Sequence, residues 1–216
     1  TWIRRNAGHA IEWADEPGEG ITCLYSEGSK LNIKEQVSVE VRFKLNEFPT
    51  KNYSVIAAGG GWQIRVKNNG ELSIAIQVEG SPIARGQGNI PLNEWVRVGF
   101  TMDGVNALLR VYINGIMQRE FQMFADKSPP RYLDPSGVYG NYGIRIRPEG
   151  AAWSQFSGAI DDLRIWDGIR TDWKDYWEPP TVVKNLNIDR TDSGAVLKWE
   201  KAYCADGTDA ASYNIY

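Results

Sequence analysis

Hydrophobic and polar residues alternate along most of the chain with a period of two. Val37, Val39, Val41, Phe43 and Leu45 stand between Ser38, Glu40, Arg42 and Lys44, which predicts a strand with one buried face. Trp62, Ile64 and Val66 alternate with Gln63, Arg65 and Lys67, and Asn68-Asn69-Gly70 then turns the chain into Leu72, Ile74 and Ile76. An Asn-Gly between two such runs predicts a hairpin, because tight hairpin turns need positive φ. The device recurs. Val96, Val98 and Phe100 end at the break Met102-Asp103-Gly104, and Leu109, Val111 and Ile113 lead through Asn114-Gly115 into the strand Ile116–Phe121. Ile144 and Ile146 alternate with Arg145 and Arg147, and Ile160–Trp166 closes the series. The longest helical candidate is Thr171–Trp177, with Thr171 as its cap. Many short one-faced strands at this spacing predict an all-β fold, an antiparallel two-sheet sandwich.

Punctuation sets the domain boundary. Glu178-Pro179-Pro180 interrupts regular pairing, giving a sandwich over residues 1–178 and a different segment over 179–216. In the latter, Leu186 and Ile188, then Val196, Leu197 and Trp199, then Tyr213-Asn214-Ile215-Tyr216 resemble the first strands of a fibronectin type III domain. A complete module of that kind has about seven strands, so this segment lacks most of its second sheet. It is expected to be a remnant of a longer module, to be completed by a partner in self-association, or to fold back on the sandwich.

Composition narrows the classes. The 24 Lys and Arg against 27 Asp and Glu argue against a nucleic-acid binder or a polybasic membrane binder. With 42% hydrophobic residues the chain can bury a core, and it has no apolar run long enough for membrane insertion. It begins at Thr1 without Met or a signal peptide, as a processed chain or a piece of something longer would. His9 is the single histidine, so any His-based triad or zinc site would depend on it alone. Cys23 and Cys204 have no CxxC spacing and are expected to be unpaired buried thiols, with a long-range bridge as the alternative.

Three segments carry a family resemblance. Asn93-Glu94-Trp95-Val96-Arg97-Val98-Gly99-Phe100-Thr101-Met102-Asp103-Gly104, Leu109-Arg110-Val111-Tyr112-Ile113-Asn114-Gly115 and Ser157-Gly158-Ala159-Ile160-Asp161-Asp162-Leu163-Arg164-Ile165-Trp166 occur in order. Together they resemble the concanavalin A-like lectin/glucanase superfamily, in its laminin G-like branch, whose fold is a jelly roll. The motif positions of Trp95, Trp166 and Trp199 imply core tryptophans, and Trp62 shares the parity of Ile64 and Val66.

The superfamily includes glycoside hydrolases, which require paired carboxylates. The Glu-x-Asp-x-x-Glu pattern of the glucanase branch is missing, and Glu12, Asp15, Glu16 and Glu19 bracket Pro17-Gly18 as a solvated turn would. The chain is therefore read as non-catalytic. Adjacent Asp161 and Asp162 repel each other unless a cation or donor lies close. The resemblance places a structural calcium at Asp161, with Asp162 and the Glu12–Asp15 loop as further donors. Hydrogen bonding or a pair with Arg164 is the alternative.

Binding residues are sought among outward strand positions and loop aromatics. Gln63, Arg65, Arg97, Arg110, Tyr112, Arg145 and Arg147 alternate with the apolar set, and several on one sheet would suit the carboxylate or sulfate groups of an acidic glycan. Trp153, Tyr139 and Tyr142 lie in loops where aromatic rings stack on sugars. The candidate ligand set is thus Trp153, Tyr139, Tyr142, Arg65, Arg145, Arg147 and Tyr112. The leading reading is an extracellular or cell-surface lectin-like module, binding a glycan or surface protein within a larger protein. The alternatives are a structural or assembly module, and an accessory domain of a glycoside hydrolase.

Overall fold

The structure is a computed structural model and describes residues 2–5, 8–13, 20–78, 81–123, 130–135, 143–147, 154–173, 187–191 and 194–198. These form β1 (Trp2–Arg5), β2 (Gly8–Trp13), β3 (Ile21–Leu24), β4 (Gln36–Leu45), β5 (Tyr53–Gly59), β6 (Trp62–Lys67), β7 (Glu71–Val78) and β8 (Ser81–Asn89). They continue through β9 (Trp95–Asp103), β10 (Leu108–Ile113), β11 (Ile116–Gln122), β12 (Gly143–Ile146), β13 (Gly158–Asp167), β14 (Asn187–Thr191) and β15 (Gly194–Lys198). The described residues form no helix. The helical candidate Thr171–Trp177 is non-helical at Thr171–Trp173 and otherwise lies outside them.

Two compact units divide the chain: Thr1–Arg5 with His9–Thr171, and Asn6–Gly8 with Asp172–Tyr216. The first is an all-β sandwich. One sheet has seven strands in the order β1-β2-β13-β4-β9-β10-β11, and the other has six in the order β3-β12-β5-β6-β7-β8. Of the second unit, the described part is the antiparallel hairpin β14–β15, in which Ile188 opposes Leu197. Trp199 and Tyr213–Tyr216 lie outside the described residues.

The period of two maps directly onto the sandwich core. Val37, Val39, Val41, Phe43 and Leu45 of β4 join Val96, Val98, Phe100 and Met102 of β9 and Leu109 and Val111 of β10. Opposite them stand Trp62, Ile64 and Val66 of β6 and Leu72, Ile74, Ile76 and Val78 of β7. Burying each such side chain contributes roughly 1.5–3 kcal/mol, so a register slip of one residue in β4 would expel five of them at once. Trp62 meets Phe100 edge-on at 5.8 Å between ring centroids, tying the two sheets together.

Turn chemistry follows the sequence. Asn114 and Gly115 adopt φ of 50° and 75°, the pair of positive values a type I′ hairpin requires. The Asn114 side chain also accepts a hydrogen bond from the Arg97 amide at 2.9 Å, pinning the β10–β11 turn to β9. The run Gly59-Gly60-Gly61 has a packing cause. A Cβ on Gly59 would lie 2.5 Å from the Trp62 ring, one on Gly60 would strike the Tyr25 hydroxyl, and one on Gly61 would approach the Asp134 carbonyl oxygen to 2.9 Å.

Two core assignments are corrected. Trp95 and Trp166 are half-buried and stand outside the core cluster. Trp95 opposes Lys44 and Trp166 opposes Ser38, so both sit on the outer face of the seven-stranded sheet. Cys23 is corrected too: the thiol is unpaired but exposed, on β3, which among the described strands ends its sheet. Cys204 lies outside the described residues.

Candidate functional site

The outer face of the six-stranded sheet gathers Arg65 and Arg145, two of the candidate ligand residues. Cross-strand pairing explains how. Arg145 opposes Ala58, Ala58 opposes Gln63, and Gln63 opposes Ala75, which places these side chains in one row on one face. The adjacent row runs Val55, Arg65, Ser73 and Gly86, and Tyr53 opposite Lys67 begins the next. Ala58, Ser73, Ala75 and Gly86 give this face a floor of small residues, which lets long side chains lie flat on it.

Arg65 lies across this floor. Its Nε donates to Gln63 Oε1 at 2.8 Å, and its guanidinium carbon stands 4.4 Å from the centroid of the Tyr53 ring. Both contacts hold the guanidinium plane in a fixed orientation, which is what fork-shaped recognition of an oxygen pair needs. Gln63, Arg65, Ser73 and Gln77 form the deep part and are at most 7% exposed. Thr22, Pro82 and Ala84 are exposed around them, and Tyr53 and Arg145 are half-buried.

Gln77 adds an acceptor. Its amide donates to the Gly61 carbonyl at 2.6 Å and its carbonyl accepts from the Asp134 amide at 2.9 Å, fixing the backbone. Its side-chain Oε1 is buried with no hydrogen-bond partner. An orphaned buried acceptor costs about 1–3 kcal/mol, so it is a group for which a donor would be welcome. Glu71 is paired with Lys67 at 2.8 Å and is the one carboxylate in the strands of this sheet.

The other candidates are placed elsewhere. Tyr112 is on the outer face of the seven-stranded sheet, 9% exposed, opposite Gly99. Arg147, expected as an outward contact, is 1% exposed. It follows β12 in a left-handed conformation (φ 50°) and donates from Nε to the Phe156 carbonyl at 2.8 Å, so it serves the structure of the edge and cannot reach a ligand. Trp153, Tyr139 and Tyr142 lie outside the described residues.

Asp161 and Asp162 sit at a bulge of β13. The pairing to β4 passes from Asp161–Arg42 to Arg164–Glu40, leaving one extra residue on β13, and Asp162 takes φ of 49° there. Asp161 and Asp162 line a cavity of about 170 Å³ with Ile11, Trp13, Ile146, Ile160 and Leu163. Among the described residues no three His, Cys, Asp or Glu come together as a metal-binding group. Two carboxylates supply part of the six to eight oxygens calcium takes.

Several solved structures share this fold. The CBM40 of a Ruminococcus gnavus IT-sialidase, solved with α2,3-sialyllactose, is 15% identical with a TM-score of 0.54, over 76% of this chain and 91% of that one. Domain 4 of the extracellular GH43 arabinanase AbnA from Geobacillus stearothermophilus, in complex with arabinotriose, is 19% identical with a TM-score of 0.54, over 77% and 74%. A putative carbohydrate-binding protein from Bacteroides ovatus is 16% identical with a TM-score of 0.52, over 70% of this chain and only 42% of its own length. At these identities the likeness is one of fold. No curated protein matches the sequence. A family model does, over residues 19–173, and by that match the chain belongs to the concanavalin A-like lectin/glucanases superfamily.

Proposed function

We propose that the chain is a non-catalytic glycan-binding module whose ligand lies on the outer face of the six-stranded sheet. One observation carries the reading: Gln63, Arg65, Arg145 and Tyr53 share that face over a floor of small side chains. Guanidinium forks and an amide are donors for hydroxyl or carboxylate oxygens, and Tyr53 offers a ring edge to a sugar. The solved carbohydrate-binding relatives support the ligand class. A glycosidase on this face would require two carboxylates flanking the scissile bond, and its strands hold Glu71 alone, already paired with Lys67.

The remainder of the reading rests on the sequence. The module is extracellular or at the cell surface, Trp153, Tyr139 and Tyr142 add aromatic contacts, and calcium at Asp161 and Asp162 stabilises the bulge of β13. Titration of sialyllactose, arabinotriose and neutral oligosaccharides into the protein tests the ligand class. Binding of a glycan that weakens in Arg145→Gln sustains the proposal. A protein that binds none across a broad glycan array refutes it.

A second reading, assembly with another protein, draws on β3. Among the described strands it ends the six-stranded sheet, and Ile21 and Leu24 are 44% and 72% exposed on it. An open edge with apolar side chains pairs readily with a foreign strand.

A further inference from the structure

Along the row Arg145, Ala58, Gln63 and Ala75 of the six-stranded sheet, the side-chain groups that stay open are all donors. Arg145 is half-buried, and among the described residues its guanidinium has no hydrogen bond, ion pair or ring contact. Glu71 is taken by Lys67 at 2.8 Å, two rows away. Asp134 meets the sheet through its backbone at the Gly61 turn, one row away on the opposite side.

Gln63 is 6% exposed, and its amide has one orientation. An arginine can only donate, so the end of the amide that receives Arg65 Nε at 2.8 Å is Oε1. Nε2 is therefore the end turned away from Arg65, and among the described residues it makes no hydrogen bond. Between Arg145 and Gln63 stands Ala58, whose methyl group leaves the space above it to a ligand. Strands about 4.8 Å apart hold the Arg145 and Gln63 backbones about 10 Å from each other. A carboxylate that accepts a bond of about 2.9 Å at each oxygen spans a gap of that order. A half-buried guanidinium without a counter-charge favours such an anion over a neutral hydroxyl.

Resting on the reading of this face as a glycan site, we infer that its ligand is an acidic sugar whose carboxylate sits above Ala58, between Arg145 and Gln63. The Arg145 guanidinium donates to one carboxylate oxygen and Gln63 Nε2 to the other, while Arg65 fixes the amide. Arg145 and Gln63 thereby set a preference for acid over neutral sugar.

Trigalacturonate against α1,4-galactotriose, and α2,3-sialyllactose against lactose, are the probes, each an acid with its neutral counterpart. Wild type is expected to bind at least one acid about tenfold or more tightly than its counterpart, the worth of one hydrogen bond to a charged group. Gln63→Glu keeps the acceptor for Arg65 but replaces the Nε2 donor with a carboxylate oxygen. It is expected to erase that ratio while the neutral sugar binds within about twofold of wild type. Arg145→Gln is expected to lower the ratio too, and it decides the matter if Gln63→Glu loses its fold. Gln118→Glu, which adds the same charge on β11 of the other sheet, is expected to keep the wild-type ratio. Equal binding of acid and neutral sugars by the wild type overturns the inference and leaves the glycan site standing, as does binding of neutral sugars alone. A ratio that survives Gln63→Glu, or falls as far in Gln118→Glu, also overturns it. Binding of none of the four probes overturns it as well, and the broad glycan array then decides the reading on which it rests.

Discussion

Arg65 lies over the ring of Tyr53, with its guanidinium carbon 4.4 Å from the ring centroid. Residues twelve apart in sequence meet because Tyr53 opposes Lys67 and Val55 opposes Arg65 in the β5–β6 ladder. A stack of this kind is worth about 0.5–2 kcal/mol, depending on how dry it is. Removing the ring therefore frees the guanidinium without removing its charge.

Tyr53→Ala is accordingly expected to weaken glycan binding by about threefold to thirtyfold, as the loss of that energy implies. Arg145→Gln, at a half-buried position, should weaken binding while leaving stability within about 0.5 kcal/mol. Paired calorimetric titrations and denaturation curves separate the two effects. Unaltered affinity in both variants would remove the six-stranded face from the function.

The buried carboxylate of Glu40 governs stability on the other sheet. Glu40→Gln leaves Arg97 and Arg170 without their counter-charge in a site where Glu40 is 2% exposed. Breaking a buried pair in this way costs about 3–5 kcal/mol. Urea denaturation should show a loss of that size, and a loss below about 1 kcal/mol would mean water reaches the network.

Asp103 makes stability depend on acid. Burial pushes its pKa up, but hydrogen bonds from Asn106 and Gln36 outweigh this and hold it below the ordinary range. A depressed folded pKa adds stability that is complete above the unfolded value of about 4 and fades as pH falls through the folded one. Melting curves of wild type and Asp103→Asn should thus differ most near neutrality and converge in acid. A constant difference would assign the loss to hydrogen bonds alone.

Calcium at the bulge of β13 makes its own forecast. A chelator should lower the melting temperature of the wild type, because an ion bound only to the native state stabilises it by mass action. Asp161→Ala should abolish that response. A melting temperature indifferent to chelator eliminates the ion.

Much of the architecture was legible as parity. Val96, Val98 and Phe100 pointed inward in the sequence and do so in the sheet, and Asn114-Gly115 turned as its composition requires. The same parity places Trp95 with Arg97, and Trp166 with Arg164, on the outer side. Reading those tryptophans as core let the family motif override the parity of their strands. Sheet membership was not legible. Arg145 joins Gln63 only because β12 pairs with β5, a long-range pairing that no local pattern encodes. Arg147 shares the parity of Arg145 but leaves the strand at a positive φ, and alternation ends where the strand does.

The two kinds of turn differ in what they allow an experimenter to attach. At Gly59-Gly60-Gly61 the backbone is pressed against Trp62, Tyr25 and Asp134, so an inserted tag or dye would have to displace the neighbouring chain. The Asn114-Gly115 hairpin instead ends in Ile116, which is 68% exposed and opposes Ile113 on the side away from Tyr112. A fluorophore placed at residue 116, after Cys23 and Cys204 are replaced to remove the competing thiols, would leave both sheet faces clear for reporting ligand capture.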